Sequence, residues 1–194
     1  MNMLFKSIRS DILRKQENYV LINRFYNRYI KVVLQHGTLA VIFYRFGNMA
    51  YKVVWPLRFI LVLVFWLLNP LFVWFSGISI NPRQNIGNSF VIHNFSTITV
   101  DAESIGENLT INQDVYIGES WERNGKPVLG KNVFMGCGSK ILGPVTIGDN
   151  VVIAANAVVL KDVPSNCMVV SVPALIIAKQ IDDDYIKSVP VHSA

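Results

Sequence analysis

From Ile80 onward an aliphatic side chain returns at every sixth position, at Ile80, Ile86, Ile92 and Ile98. The series resumes one residue out of phase at Ile105, Ile111 and Ile117. After an insertion it runs through Leu129, Met135, Ile141, Ile147, Ile153 and Val159. A period of six matches neither the 3.6-residue turn of an α-helix nor the two-residue alternation of a half-buried strand. It fits a three-sided coil in which each hexad supplies one short flat strand and one tight corner. Three hexads close a turn, and the recurring aliphatics stack into an interior column. Glycine follows the key residue at Gly87, Gly106, Gly118, Gly130, Gly136 and Gly148. Gly and Asn at corners supply the tight or left-handed backbone geometry that a corner needs. The sequence therefore predicts a mainly β chain, a parallel β-helix over residues 79–175, with a C-terminal tail over 176–194.

Two irregularities interrupt the period. The slip between Ile98 and Ile105 adds one residue to the register and is expected as a small bulge near His93. Between Ile117 and Leu129 the polar stretch G-E-S-W-E-R-N-G-K-P-V replaces a clean pair of hexads, so it should leave the coil as a loop carrying Trp121 and Lys126. Loops leaving a rigid scaffold commonly carry function.

Residues 1–78 follow a different pattern. They hold 10 Lys/Arg against 2 Asp/Glu and 16 of the 22 aromatic residues, whereas residues 79–194 hold 8 against 11. Apolar residues three and four apart, as at Phe25, Tyr29, Val32 and Val33, predict helices over residues 3–52 with a break at Gly37-Thr38. Leu57–Leu68 is strongly apolar, about 18 Å long as a helix, with Asn69-Pro70 expected to interrupt it. A hydrocarbon core is about 30 Å thick, so the expectation is an in-plane or re-entrant anchor on the cytoplasmic side of the plasma membrane. The alternative is that the run packs between subunits. Basic residues interleaved with Phe, Trp, Leu and Val suit lipid, and no nucleic-acid motif is present. Cys137 and Cys167 are too few for a disulfide framework and read as reduced thiols. No secretory signal is expected at the N-terminus.

The segments G-T-L-A-V-I-F-Y-R-F-G (37–47), S-I-N-P (79–82), I-H-N-F-S-T-I-T-V (92–100), I-G-D-N-V-V-I-A-A-N-A-V-V-L-K-D-V-P (147–164) and S-V-P-A-L-I-I (171–177) resemble the hexapeptide-repeat acyltransferases, and within them the serine acetyltransferase branch. The resemblance implies a left-handed winding, a homotrimer, and acetyl-CoA held as co-substrate in a groove between neighbouring subunits, with no permanently bound cofactor. It implies His93 as general base. Histidine suits that role because its unperturbed pKa lies near neutrality. Backbone N–H groups near Gly118 and Glu119 are expected to meet the oxyanion. The resemblance places acetyl-CoA against Cys137, Gly138, Ala155 and Asn156, with Lys161 and Lys179 as candidates for the nucleotide phosphates, and Trp121 and Lys126 on the acceptor loop.

Two departures bear on the acceptor. Ser79 stands where the serine enzymes carry a carboxylate that orients the histidine, and Gly125-Lys126-Pro127 stands where they carry a second histidine. A backbone carbonyl is expected to orient His93 instead. The departures favour a saccharide hydroxyl, free or lipid-linked, in cell-surface polysaccharide assembly over L-serine, the alternative acceptor. A non-catalytic β-helix scaffold is the alternative of another class. A three-histidine metal site is not expected, because His93 is the only histidine between residues 79 and 191.

Overall fold

A computed structural model of the chain describes residues 2–17, 34–94 and 96–180. Among the described residues, three helices lead into the β-helix: α1 (Asn2–Glu17), α2 (His36–Lys52) and α3 (Leu57–Ser76). Three stacks of short strands then form its faces. The first face holds β1 (Ile78–Ile80), β4 (Ile98–Val100), β7 (Tyr116–Gly118), β10 (Lys140–Leu142) and β13 (Val158–Val159). The second holds β2 (Asn85–Ile86), β5 (Ser104–Ile105), β8 (Val128–Leu129) and β11 (Thr146–Ile147). The third holds β3 (Val91–Ile92), β6 (Thr110–Ile111), β9 (Val133–Met135), β12 (Val151–Ile153) and β14 (Cys167–Val170), and ends on β15 (Leu175–Lys179). All pairings are parallel except β14–β15, which is antiparallel. The expected tail thus begins as an edge strand closing the third face, while residues 181–194 lie outside the described residues.

The register is the six-residue period made physical. Ile86, Ile105, Leu129 and Ile147 lie opposite one another along the second face, and Ile92, Ile111, Met135 and Ile153 along the third. All eight are buried and share one core. On the first face the line is Val100, Ile117, Ile141 and Val159. Ile98 instead faces Ile78, and Ile80 is only partly buried. The irregularity near His93 is therefore larger than a single added residue. The corner after Ile92 takes two residues more than the corner after Ile111, and the following corner, Val100 to Ile105, returns one of them. Net, the register slips by one.

Corners stack as closely as strands. Asn108, Asn132, Asn150 and Asn166 all take left-handed φ between the second and third faces. Each of the first three donates its side-chain amide to the next asparagine's oxygen, at 2.7, 2.9 and 2.8 Å. This spends the amide of one coil on the oxygen of the next, so a residue tolerant of φ > 0 also satisfies its own polar groups. At Gly136 a Cβ would stand 2.5 Å from the Ala155 nitrogen, so only glycine lets these coils approach.

The helices correct two expectations. The break expected at Gly37-Thr38 falls two residues earlier, at the extended Gln35, and Gly37-Thr38 lies in the first turn of α2, where a Cβ on Gly37 would stand 2.5 Å from the Ile92 carbonyl oxygen. Asn69-Pro70 does not interrupt α3, which runs unbroken for 20 residues to a left-handed Gly77. Proline inside a helix costs about 3 kcal/mol. Packing on both sides of Pro70 offsets that cost: Phe43 of α2 stacks on Phe65 and Phe72 at 4.8 and 4.6 Å.

Nor do all the basic residues of the helices face outward. Arg45 is buried against Asp11 at 3.0 Å and donates to the carbonyls of Ile86 and Gly87. Arg14 donates to the carbonyls of Ser89 and Leu109 and to Thr110 Oγ1. These groups pin α1 and α2 to the first two coils. Arg24, Arg28 and Lys31 lie outside the described residues.

Candidate active site

His93 follows β3 at the corner between the third and first faces, and its N–H donates to the Ile111 carbonyl at 3.0 Å. Corner stacking continues below it. Asp114 N–H donates to Ser96, Gly138 N–H to Gln113, and Asn156 N–H to Cys137. Cys137, Gly138, Ala155 and Asn156 therefore share one edge of the coil with His93, on successive turns. Cys137 is half-buried, and Ala155 and Asn156 are exposed. A run of small residues on this edge leaves backbone open to a ligand.

Gly118, Glu119 and Lys161 occupy the opposite edge of the first face, where the coil turns toward the second. One chain does not bring them to His93. A groove of about 510 Å³ crosses the face between the two edges, from Thr97 and Asp114 beside the His93 corner to Glu119 and Trp121 on the loop. The loop is extruded as expected. Trp121 is fully exposed, and Arg123 pins the loop by donating to the Leu160 carbonyl at 2.7 Å. Lys126 is not free to meet a ligand charge, since it donates to Asp101 Oδ1 at 2.8 Å, and that hydrogen bond raises its pKa. The Lys179 side chain lies outside what the structure describes. His36 begins α2, 5.2 Å from the Phe75 ring. Among the described residues no group of three His, Cys, Asp or Glu is placed to hold a metal ion.

His93 is more enclosed than an open cleft would make it. It is 7% exposed, because the end of α1 and the start of α2 close over the corner. Among the described residues its Nδ1 has no hydrogen-bond partner, so the expected backbone carbonyl does not hold that nitrogen. Burial first, then the charges of Lys15 and Arg14, lower its pKa to about 4. The imidazole is therefore neutral at physiological pH, with a buried nitrogen unspent.

Lys15 is the residue the sequence reading missed. Lys15 is 2% exposed, and its ammonium donates to the carbonyl of Ile92, the residue just before His93, at 2.6 Å, and to Thr38 Oγ1 at 3.0 Å. Burial lowers its pKa to about 7. Its place among the basic residues of an amphipathic helix gave no sign of an inward role.

A family model described as bacterial transferase hexapeptide (six repeats) matches residues 126–161. A serine acetyltransferase of Staphylococcus epidermidis is 41% identical over 110 residues, covering 55% of this chain and 52% of that protein. One of Synechococcus elongatus is 38% identical over 105 residues, covering 53% and 43%. The chain spans about half the length of the curated relatives it matches. The solved serine acetyltransferase of Brucella abortus in complex with coenzyme A superposes at a TM-score of 0.76, with 26% identity over 90% of this chain and 67% of that one. Over residues 126–161 the chain is similar to the hexapeptide-repeat transferases, and it shares the left-handed β-helix fold of these solved structures. The hand inferred from the motif resemblance is thus the hand of its structural relatives, an exception to the usual right-handed crossover.

Proposed function

We propose that the chain is an acetyl-CoA-dependent O-acetyltransferase in which neutral His93 takes the proton of an acceptor hydroxyl as that oxygen attacks the thioester. Coenzyme A leaves as the thiol. The observation that carries this reading is the shared edge: the His93 imidazole stands in line with the small-residue corners at Cys137-Gly138 and Ala155-Asn156. Thioester acyl transfer asks little more of a protein than a base, an aligned donor and N–H groups for the oxyanion. The coenzyme A complex of the Brucella abortus relative supports the donor. Gly118 and Glu119 lie across the first face from His93, so their oxyanion role requires the edge of a neighbouring copy, in the homotrimer that the motif resemblance implies.

The similarity to serine acetyltransferases favours L-serine as acceptor over the saccharide that the motif departures suggested. The saccharide remains the second reading, on one specific observation. Ser79 carries no charge with which to orient an imidazole, and Lys126 is already paired with Asp101, so neither supplies the partners expected of a site built for an amino acid. A thiol-release assay with acetyl-CoA against L-serine, free sugars, nucleotide sugars and lipid-linked sugars separates the two. Fastest release with L-serine supports the first reading, and release with saccharides alone supports the second. No release with any acceptor, together with no acetyl-CoA binding, overturns both and leaves a β-helix scaffold.

A further inference from the structure

The outward side of α3 is an apolar surface that the folded chain does not use. Its inward stripe, through Leu61, Phe65, Asn69, Phe72 and Ser76, packs on α2 and β1. The opposite stripe, Ile60, Leu63, Leu67, Leu71 and Trp74, recurs at helical spacing and is 57, 47, 59, 65 and 86% exposed. Trp66 and Phe75 flank it at 70 and 65%. Soluble chains rarely leave so long a contiguous apolar patch in water.

We propose that this face lies in the surface of an anionic lipid bilayer, with α3 parallel to the membrane plane. Charge selects lipid as the occupant. No Asp or Glu occurs between Glu17 and Asp101. Exposed Lys52, Arg58 and Arg83 surround the entry to α3, with the Arg83 guanidinium 5.2 Å over the Tyr51 ring. An apolar face with a cluster of cations at one end matches acyl chains beneath anionic headgroups.

Packing selects the orientation. At 20 residues α3 is long enough to cross a bilayer, about 30 Å by helical rise. However, its inward stripe holds α2 along its length, and α2 is fixed to the coil through Tyr44, Arg45 and Asn48. Crossing would carry α2 and the coil fixed to it, with exposed charges such as Lys52 and Arg83, into hydrocarbon, where a charged side chain is costly. Lying in the plane buries only the outer stripe. On the acetyl-CoA reading above, the leaflet is the cytoplasmic one.

The test is flotation of the full chain with vesicles of phosphatidylcholine alone or mixed with phosphatidylglycerol, beside the L67E/L71E variant. Both substituted positions are exposed, so the variant keeps the wild-type melting temperature. The expected result is co-flotation of wild type with the anionic vesicles, weaker flotation with the neutral ones, and a partition coefficient at least about tenfold lower in the variant. In wild type, lipids brominated along the acyl chain should also quench tryptophan fluorescence, a readout that needs no substitution. Absence of flotation and quenching overturns the proposal. So does equal partitioning of the variant, or a variant whose solution mass falls, which would assign the face to a second copy of the chain.

Discussion

Replacing Lys15 with methionine keeps the length of the side chain and removes a buried charge beside the candidate base. The pKa of His93 falls from 6.5 to about 4, and burial is the largest of its three causes, ahead of Lys15 and Arg14. The share of Lys15 is therefore under half the drop, so K15M raises the imidazole by at most about one unit, or ~1.4 kcal/mol of differential interaction. Lys15 itself titrates at about 7 and is charged throughout the acid range where this matters. Activity requires the unprotonated imidazole. In the wild type it should persist well below pH 6.5 and fail only as pH approaches 4. In K15M the acid limb should move toward neutrality, because a higher pKa protonates the base sooner. The assay is kcat/KM for thiol release from acetyl-CoA between pH 4 and 8, with the melting temperature followed in parallel. An acid limb at the same pH in both proteins, or one moved to lower pH in K15M, refutes the assignment of that limb to His93.

The interior column and the corners yield two further predictions. Ile111→Ala removes a fully buried side chain from the middle of the stack and should destabilise the fold by about 2–5 kcal/mol, read by urea or thermal unfolding. Gly136→Ala drives a methyl group into the backbone of Ala154 and Ala155, at 2.8 and 2.5 Å. The coils must separate to admit it, so the melting temperature should fall by the equivalent of roughly 1–3 kcal/mol; an unchanged value would contradict the close stacking at that corner.

The coil was legible because its signal is local and repeated. Each key aliphatic meets its own equivalent one turn away, so spacing alone predicts which residues touch. The slip after Ile92 was legible as a displacement but not in its parts, since two added residues and one removed leave a net shift of one in any count along the chain. The helical region was read less well. Asp11–Arg45, Arg14–Thr110 and Lys15–Ile92 join positions 34, 96 and 77 residues apart, and no periodicity encodes such pairs. Pro70 misled because proline lowers helix propensity whatever surrounds it, while the stacking of Phe43 on Phe65 and Phe72 that overrides it is tertiary. At the site, the edge that gathers His93, Gly138 and Asn156 follows from the period. The closure of α1 over His93, which sets the pKa, does not.

The most direct measurement is the turnover of His93→Ala in the full chain, read as thiol release with the best acceptor and accompanied by an unfolding curve. A protein that melts as wild type does but turns over at least about a hundredfold more slowly is the predicted result. Turnover within a few-fold of wild type would mean that the imidazole on this corner is not the base, however well the coil around it is formed.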